Sequence, residues 1–461
     1  MREQPRAPLK PNPAPRAGNA ETHAPLADGM AARQVAVSAL HAVFVDGRSF
    51  DDAFARAASK AQLPARDRAF ARAIAATVLR RRGQLKEVVS RFIEKPLPAK
   101  QGQLDAILLS AAAQLLYLET PPHAAISLAV DQCRLDRNAS RFDKLSNAVL
   151  RRVSERGPEI LQTLDAAALN IPPWLYARWQ KAYGPDLAKA IAEASLVEAP
   201  LDLSVKSDPQ LWAEKLGGSV VAGCTVRLSE AGRIEDLAGY SEGAWWVQDA
   251  AASLPSKLLG DVRGLEVADI CAAPGGKTAQ LIAAGARVTA VDQSAERLTR
   301  LKNNLTRLGF AADTVVTDAG SWAPGKLFDA ILVDAPCTAT GTIRRHPDIL
   351  HLKRADDMAA LSEIQRRILN NAAKLVKPGG KLVFCTCSLE PEEGPEQISR
   401  FLKEHPEFER QPVATGEIGG GPDWITSDGD LRTLPTHVSQ LPPGQRGLDG
   451  FYAARLVRRV T

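Results

Sequence analysis

The sequence predicts a multi-domain chain with an all-α bundle first, a small α+β module next, and an α/β domain on a doubly wound, Rossmann-like sheet at the C-terminal end. Three observations carry this. Apolar residues recur at three- and four-residue steps from Met30 to about Glu155. Short apolar/polar alternation replaces that period after Pro200. From Val247 onward, strand-like and helix-like segments take turns. With 461 residues, the chain exceeds one average domain, so two or three cores are expected.

Residues 1–28 are rich in Pro, Ala and basic side chains, which cannot bury enough surface to offset chain entropy, and a disordered lead-in is expected there. Over 29–155 the apolar face shows in Val35, Leu40, Val43 and Phe44 and again in Ile107, Leu108, Ala111, Leu115 and Leu116. Helix breaks fall at Asp46-Gly47, Leu63-Pro64, Pro96-Leu97-Pro98 and Thr120-Pro121-Pro122. His123, after two prolines, reads as a helix-start residue rather than a catalytic base. Residues 156–199 form a helical linker, and 200–245 a small α+β module with turns at Gly217-Gly218 and Gly223. In 246–461 strands are expected at 265–270, 287–291, 314–316, 330–333 and 381–384.

Composition removes several classes. Hydrophobic residues make up 45% and charged residues 24%, values that exclude bulk disorder. No apolar run approaches the roughly 20 residues that span a bilayer, and no secretory leader is visible, so a cytoplasmic location away from membranes is expected. Six cysteines without a secretory leader point to reduced thiols. With no Cys-x-x-Cys pair and no histidine pair at ligand spacing, no metal is expected. A net charge of +5 allows a nucleic-acid partner without establishing it. Arg80-Arg81-Arg82, Arg151-Arg152, Arg344-Arg345 and Arg366-Arg367 are candidate phosphate contacts, with solvated faces as the alternative.

Chemistry concentrates in the last domain. The strand at 265–270 runs into Cys271-Ala272-Ala273-Pro274-Gly275-Gly276-Lys277-Thr278, with a helix after it, the setting in which glycines let backbone approach a cofactor. A phosphate-binding loop would need glycine where Cys271 stands, and the dinucleotide pattern is absent. The next strand ends on Asp292, where a carboxylate can accept from ribose hydroxyls, and Asp318 after the third strand would suit an adenine end.

Two more strands deliver Asp334-Ala335-Pro336-Cys337 and Cys385-Thr386-Cys387-Ser388 to the same edge. Carbon 5 of a cytosine is a poor nucleophile until something adds covalently at carbon 6, and a thiolate can add there and leave again. One cysteine suffices for attack, so the second, in its Pro-Cys context, points to assisted release. Cys271 at the turn entry and Cys385 in the strand are given no chemical role.

Together with Gln248-Asp249, the segments 343–348, 389–393, 431–435 and 449–452, these motifs resemble the Sun/Fmu-type, RsmB-like RNA cytosine-5 methyltransferases over nearly the whole chain. Gln114 to Ile126, followed by Ser146 to Arg152, resembles the NusB-like RNA-binding domain. The resemblance implies S-adenosylmethionine as cofactor, held by Cys271, Ala272, Ala273, Pro274, Gly275, Gly276, Lys277, Asp292, Asp318 and Asp334. It implies Cys387 as nucleophile and Cys337 as the group that aids product release. Asp334 would hydrogen-bond or protonate the cytosine edge, and Lys277 would assist or brace the turn. DNA cytosine-5 methyltransferases attack with the Pro-Cys residue, so possession of both cysteines separates the RNA class. The NusB-like attachment implies small-subunit ribosomal RNA as partner, with a monomer expected. Transfer RNA is the alternative substrate, and a non-catalytic ribosome-assembly or antitermination factor the alternative class. The chain departs from the family at Ser204-Val205-Lys206, which lacks an arginine, and at Gly394-Pro395, which lacks a polar side chain after the nucleophile strand.

Overall fold

A computed structural model describes residues 29–98, 100–229 and 232–460, so the lead-in expected over 1–28 lies outside the described residues. Six helices come first: α1 (Met30–Phe44), α2 (Phe50–Ala61), α3 (Ala65–Ser90), α4 (Leu104–Leu116), α5 (Pro122–Leu135) and α6 (Asp143–Gln162). Their apolar faces close on one core that includes Leu40, Ile74, Leu79, Ile107, Leu108 and Leu150. Every gap between α1 and α5 falls on one of the proline or glycine breaks, because proline lacks the amide that continues a helix and glycine gains little by entering one. His123 is the second residue of α5, a helix start as expected.

Two of the arginine clusters turn partly inward, while Arg366 and Arg367 stay at the surface in ion pairs. Arg80 is buried and donates to the Arg344 carbonyl at 3.0 Å. Arg82 lies 4.0 Å over the Phe44 ring. Arg366 pairs with Glu363 at 2.7 Å and Arg367 with Asp318 at 2.5 Å. Arg151-Arg152 stands with both residues exposed, so it is the cluster left open to a phosphate backbone.

Helices α7 (Ala166–Asn170), α8 (Pro173–Tyr183) and α9 (Pro185–Ser195) follow. They are not a free tether: Leu175, Trp179, Ile191 and Leu196 form a core with Ile343, Leu350, Leu389 and Leu434 of the last domain. The small module then runs β1 (Leu201–Val205), α10 (Pro209–Leu216), β2 (Ser219–Val221), β3 (Thr225–Leu228) and β4 (Trp245–Val247). Its strands pair antiparallel in the order β2-β3-β1-β4.

The last domain comprises α11 (Leu254–Lys257), β5 (Glu266–Ile270), α12 (Gly276–Ala283), β6 (Arg287–Asp292), α13 (Ala295–Arg307), β7 (Asp313–Val316), β8 (Phe328–Asp334), α14 (Ile349–Leu352), α15 (Asp357–Leu375), β9 (Val376–Thr386), α16 (Pro395–Glu404), β10 (Phe408–Arg410), α17 (Thr415–Ile418), β11 (Leu431–Thr433) and β12 (Phe451–Arg458). The sheet order is β10-β12-β9-β8-β5-β6-β7, with β11 beside β12. Strands β5 to β9 are parallel, and β12 is antiparallel to β9. Val267, Leu332 and Val383 face one core while Ile270, Val333 and Phe384 face the other, which is why these strands read as nearly continuous apolar runs. The chain moves outward from β5 through β6 to β7, then crosses to β8 on the far side of β5. That reversal opens a crevice at the carboxyl ends of β5 and β8, where ligands of open α/β sheets bind.

Candidate active site

The glycine turn sits at that reversal. Cys271 adopts φ 61° and Gly275 φ 103°, and a Cβ on Gly275 would stand 2.8 Å from Leu301, so glycine is required there by both backbone and space. The Gly275 amide bonds Ala272 O at 2.9 Å, closing the turn before α12 begins at Gly276. At the end of β6, Asp292 is buried and accepts from the Ala273 amide at 3.3 Å and the Ser294 amide at 3.0 Å, with Arg297 at 3.2 Å. Asp318, after β7, is partly exposed and accepts from the Gly320 amide at 3.0 Å. Turn, Asp292 and Asp318 therefore meet along one edge, as the sequence order requires.

On the other side of the reversal, Lys277 donates to Asp334 at 2.8 Å and lies 5.0 Å over the Phe451 ring. Burial lowers the Lys277 pKa, but the Asp334 carboxylate and the neighbouring thiols outweigh it and hold the ammonium well above its ordinary range. Asp334 also accepts from the Cys385 thiol at 3.5 Å. With donors on both oxygens, it is arranged as an acceptor. Register places Asp334 opposite Cys385 on adjacent strands, so Cys337 and Cys387, two or three residues beyond, converge, and their Sγ atoms stand 3.4 Å apart. The Cys337 thiol is held well above its usual pKa by its hydrogen bond to Cys387, by burial, and by the charges of Cys387 and Glu393. Burial and the nearby carboxylates push Cys271 up to about 12 and Cys385 well above the ordinary thiol range, which suits the structural places expected for both.

A cavity of about 530 Å³ opens beside the turn, lined by Trp246, Gly275, Lys277, Asp334, Arg345 and His346 among others. Arg345 is fixed there by Asp249 at 2.5 Å, Asp449 at 3.0 Å and the Pro200 carbonyl at 3.1 Å. Two groups here were not singled out from sequence, while Arg345, a candidate phosphate contact, is instead held by carboxylates beside the cavity. Phe451 lay inside a recognised segment without an assigned task. Asp269 carried a signal that could have found it, a carboxyl set among the apolar residues at the inner end of strand 265–270. Its Oδ2 accepts from Thr278 at 2.6 Å, its Oδ1 has no partner among the described residues, and burial pushes its pKa up to about 7. Below the glycine turn, then, the Asp292 and Asp334 carboxylates and the orphaned Asp269 oxygen form an acceptor set that fits a ligand bearing ammonium and sulfonium groups. No group of three or more metal-ligating side chains occurs among the described residues. Likewise no described helix is long and apolar enough to cross a membrane.

Beyond the strand that ends before Cys387, the docked helices reach the site. Arg178 and Trp179 donate to the buried Glu390 at 2.7 and 3.1 Å, and Tyr183 donates to the Leu389 carbonyl at 2.5 Å.

A switch-point glycine turn, carboxylates at the next two strand ends and paired thiols across the crevice define the class, a Rossmann-like methyltransferase. A family model described as 16S rRNA methyltransferase RsmB/F matches residues 258–457, and one for the NusB family matches 30–155. Ribosomal RNA small subunit methyltransferase B of Vibrio cholerae is 36% identical over 93% of this chain and 98% of its own length. The protein of that name from Xanthomonas campestris is 35% identical over 94% and 98%. A solved methyltransferase homolog from Pyrococcus horikoshii is 27% identical, with TM-score 0.52 over 64% of this chain and 97% of its own. The solved protein PH0851, 24% identical with TM-score 0.73 over 93% of this chain and 98% of its own, shares the fold. The chain belongs to the RsmB/F methyltransferase family. It is an S-adenosylmethionine-dependent RNA cytosine-5 methyltransferase with a NusB-family domain in front.

Proposed function

We propose that this enzyme methylates carbon 5 of a cytosine in small-subunit ribosomal RNA, with Cys387 as the nucleophile and Cys337 as the release group. The observation that carries the reading is the thiol pair, 3.4 Å apart at the ends of adjacent strands and beside the Lys277–Asp334 pair. The names of the full-length relatives support the substrate. The exposed Arg151-Arg152 of the helical domain supports an RNA contact remote from the chemistry. We further infer a monomer acting in the cytoplasm, in keeping with relatives named for modifying small-subunit ribosomal RNA.

Asp292 and Asp318 would hold the ribose and adenine end of the donor, and the turn 271–277 its methionine end. When bound, the donor supplies an electrophilic methyl group on a sulfonium. Cys387 thiolate would add to carbon 6 of the base and leave an electron pair on carbon 5, where the donor would supply its methyl group, its sulfur keeping the electrons of the broken S–CH3 bond. Asp334, held as an acceptor, is placed to receive a hydrogen bond from the cytosine amino group rather than to donate a proton. Release then breaks the C5–H bond, whose electrons restore the C5–C6 double bond while the C6–Sγ bond breaks. Cys337 passes its thiol proton to the departing Cys387 sulfur and receives the carbon 5 proton in its place. Attack from above the ring requires an unstacked base, so the target is extruded or single-stranded.

The test is transfer of labelled methyl to protein-free ribosomal RNA by wild type, Cys387→Ala and Cys337→Ala. The first variant should bind donor but form no 5-methylcytosine, and the second should accumulate a covalent protein–RNA adduct. Turnover by Cys387→Ala would overturn the nucleophile, and absence of an adduct with Cys337→Ala would overturn the release role.

A further inference from the structure

Glu393 lies in the short turn Pro391–Glu393 that follows the nucleophile segment, with its side chain fully buried. A carboxylate in such a place ordinarily sits beside a cation, since burial of an uncompensated charge costs several kcal/mol. Among the described residues Glu393 is in no ion pair, and its donors are neutral. The Thr338 amide donates to its two oxygens at 3.0 and 3.1 Å, Gln365 Nε2 donates at 3.0 Å, and the Thr338 hydroxyl donates as well. Gln365 Nε2 also donates to the Pro336 carbonyl at 2.8 Å. Both flanks of Cys337, Pro336 before it and Thr338 after it, are therefore tied to this one carboxylate.

The anion also orders the hydroxyls behind it. A carboxylate only accepts, so Thr338 must turn its proton toward Glu393 and its lone pair toward Ser388 Oγ, 3.1 Å away. Ser388 in turn donates to Thr338, and it accepts from the Glu390 amide at 3.0 Å and faces Thr340 Oγ1 at 3.4 Å. Thr340 Oγ1 accepts from the Leu389 amide at 3.0 Å, and the Gly341 amide bonds the Cys387 carbonyl at 2.9 Å. A single directed chain thus joins the residue after Cys337 to the residue after Cys387. Nothing in the methyl-transfer steps uses it.

We propose that Glu393 is the positioning residue of the release step: through Thr338 and Gln365 it sets the place of Cys337 Sγ against Cys387 Sγ. This rests on the reading of Cys337 as release group. The negative charge beside it also favours the protonated thiol that this step consumes. A glutamine in its place offers one accepting oxygen and turns an amide N–H₂ toward a donor, so the clamp loosens although size is kept.

The experiment follows single-turnover reactions of wild type, Glu393→Gln, Glu393→Asp, Thr338→Val and Cys337→Ala with donor and ribosomal RNA. It scores adduct formation, methylated RNA release and the pH profile of release separately. Glu393→Gln should form adduct within about threefold of the wild-type rate yet release product at least tenfold more slowly, with a displaced pH profile. Glu393→Asp, which keeps the charge, should recover part of the release rate, and Thr338→Val should slow release in the same direction. Equal loss of adduct formation and release, or release at the wild-type rate, would overturn the proposal. Should Glu393→Gln fail to fold, Thr338→Val decides by the same criteria. If Cys337→Ala traps adduct and Glu393→Gln does not, the positioning role alone fails; if neither traps adduct, the reading of Cys337 falls first.

Discussion

Replacing Arg227 with methionine should cost this enzyme much of its stability, and the structure says why. Arg227 on β3 and Asp202 on β1 are both completely buried and joined by two hydrogen bonds of 2.7 Å. The same guanidinium donates to the carbonyls of Gln445 at 2.8 Å and Gly447 at 2.7 Å, so one side chain fastens the small module to the loop before β12. Methionine keeps the length and deletes every donor. Asp202 would retain the Ala250 amide at 3.0 Å and a distant Arg345 at 3.6 Å. Removing one partner of a buried pair costs roughly 3–5 kcal/mol, because the other charge is left in a dry site. At roughly 2–4 °C per kcal/mol for a domain of this size, Tm should fall by roughly 6–20 °C in a calorimetric or fluorescence melt. The double variant R227M/D202N strands no charge and should melt above R227M alone. The deficit also carries a sign in pH. Burial pushes the Asp202 carboxyl up and Arg227 pulls it down. Without Arg227 the folded-state pKa rises further above the unfolded value of roughly 3.9, so stability falls as pH rises past that value, and the loss is larger at pH 8 than at pH 5. A single variant within 2 °C of wild type, or a double variant below the single, would refute this reasoning.

Two further outcomes can be checked. A Cβ at Gly341 would stand 1.9 Å from the Gly450 carbonyl oxygen, while the Gly341 amide bonds Cys387 O at 2.9 Å, so Gly341→Ala must shift the loop that carries Cys387. Methyl transfer should drop by at least about a hundredfold, with donor affinity in calorimetry within about threefold of wild type. At Asp269, burial raises the pKa to about 7 from an unfolded value of roughly 3.9, so the native state holds the proton more tightly and stability falls as pH rises between the two. The stability gained by Asp269→Asn should therefore grow from pH 4.5 to pH 7.5, up to roughly 4 kcal/mol in denaturant unfolding, and a gain independent of pH would contradict it.

How much could be read from the sequence depended on range. The glycine turn, Asp292, Asp318 and the two thiol motifs were legible because each depends on a strand end and the few residues after it, and parallel strands bring strand ends together. The helix breaks of the first domain were legible for the same local reason. The helix α6 runs through Pro158 to Gln162, past the apolar period that stops near Glu155, since packing of its buried face outweighs the local cost of the proline. Strands β10, β11 and β12 were not anticipated. Phe451 to Arg458 becomes a strand by pairing along β9 from Tyr452–Thr386 to Val457–Lys381, a partner more than sixty residues earlier. Local pattern is silent on such pairings. Arginine clusters misled for a related reason, because Arg80 and Arg344 look solvated in sequence and are buried by elements far along the chain.

The helices that join the NusB-family domain to the catalytic one bear on how this enzyme could be divided. Arg178 and Trp179 are the donors that accompany the buried Glu390 carboxylate three residues past Cys387, and Tyr183 grips the carbonyl beside it. A fragment starting at residue 200 would contain the glycine turn and both thiol motifs and still leave that acid stranded three residues from Cys387. The smallest heritable unit of this chemistry therefore begins near residue 166, and a chimera that exchanges NusB-family domains has to cut upstream of α7, keeping the strut with the engine it supports.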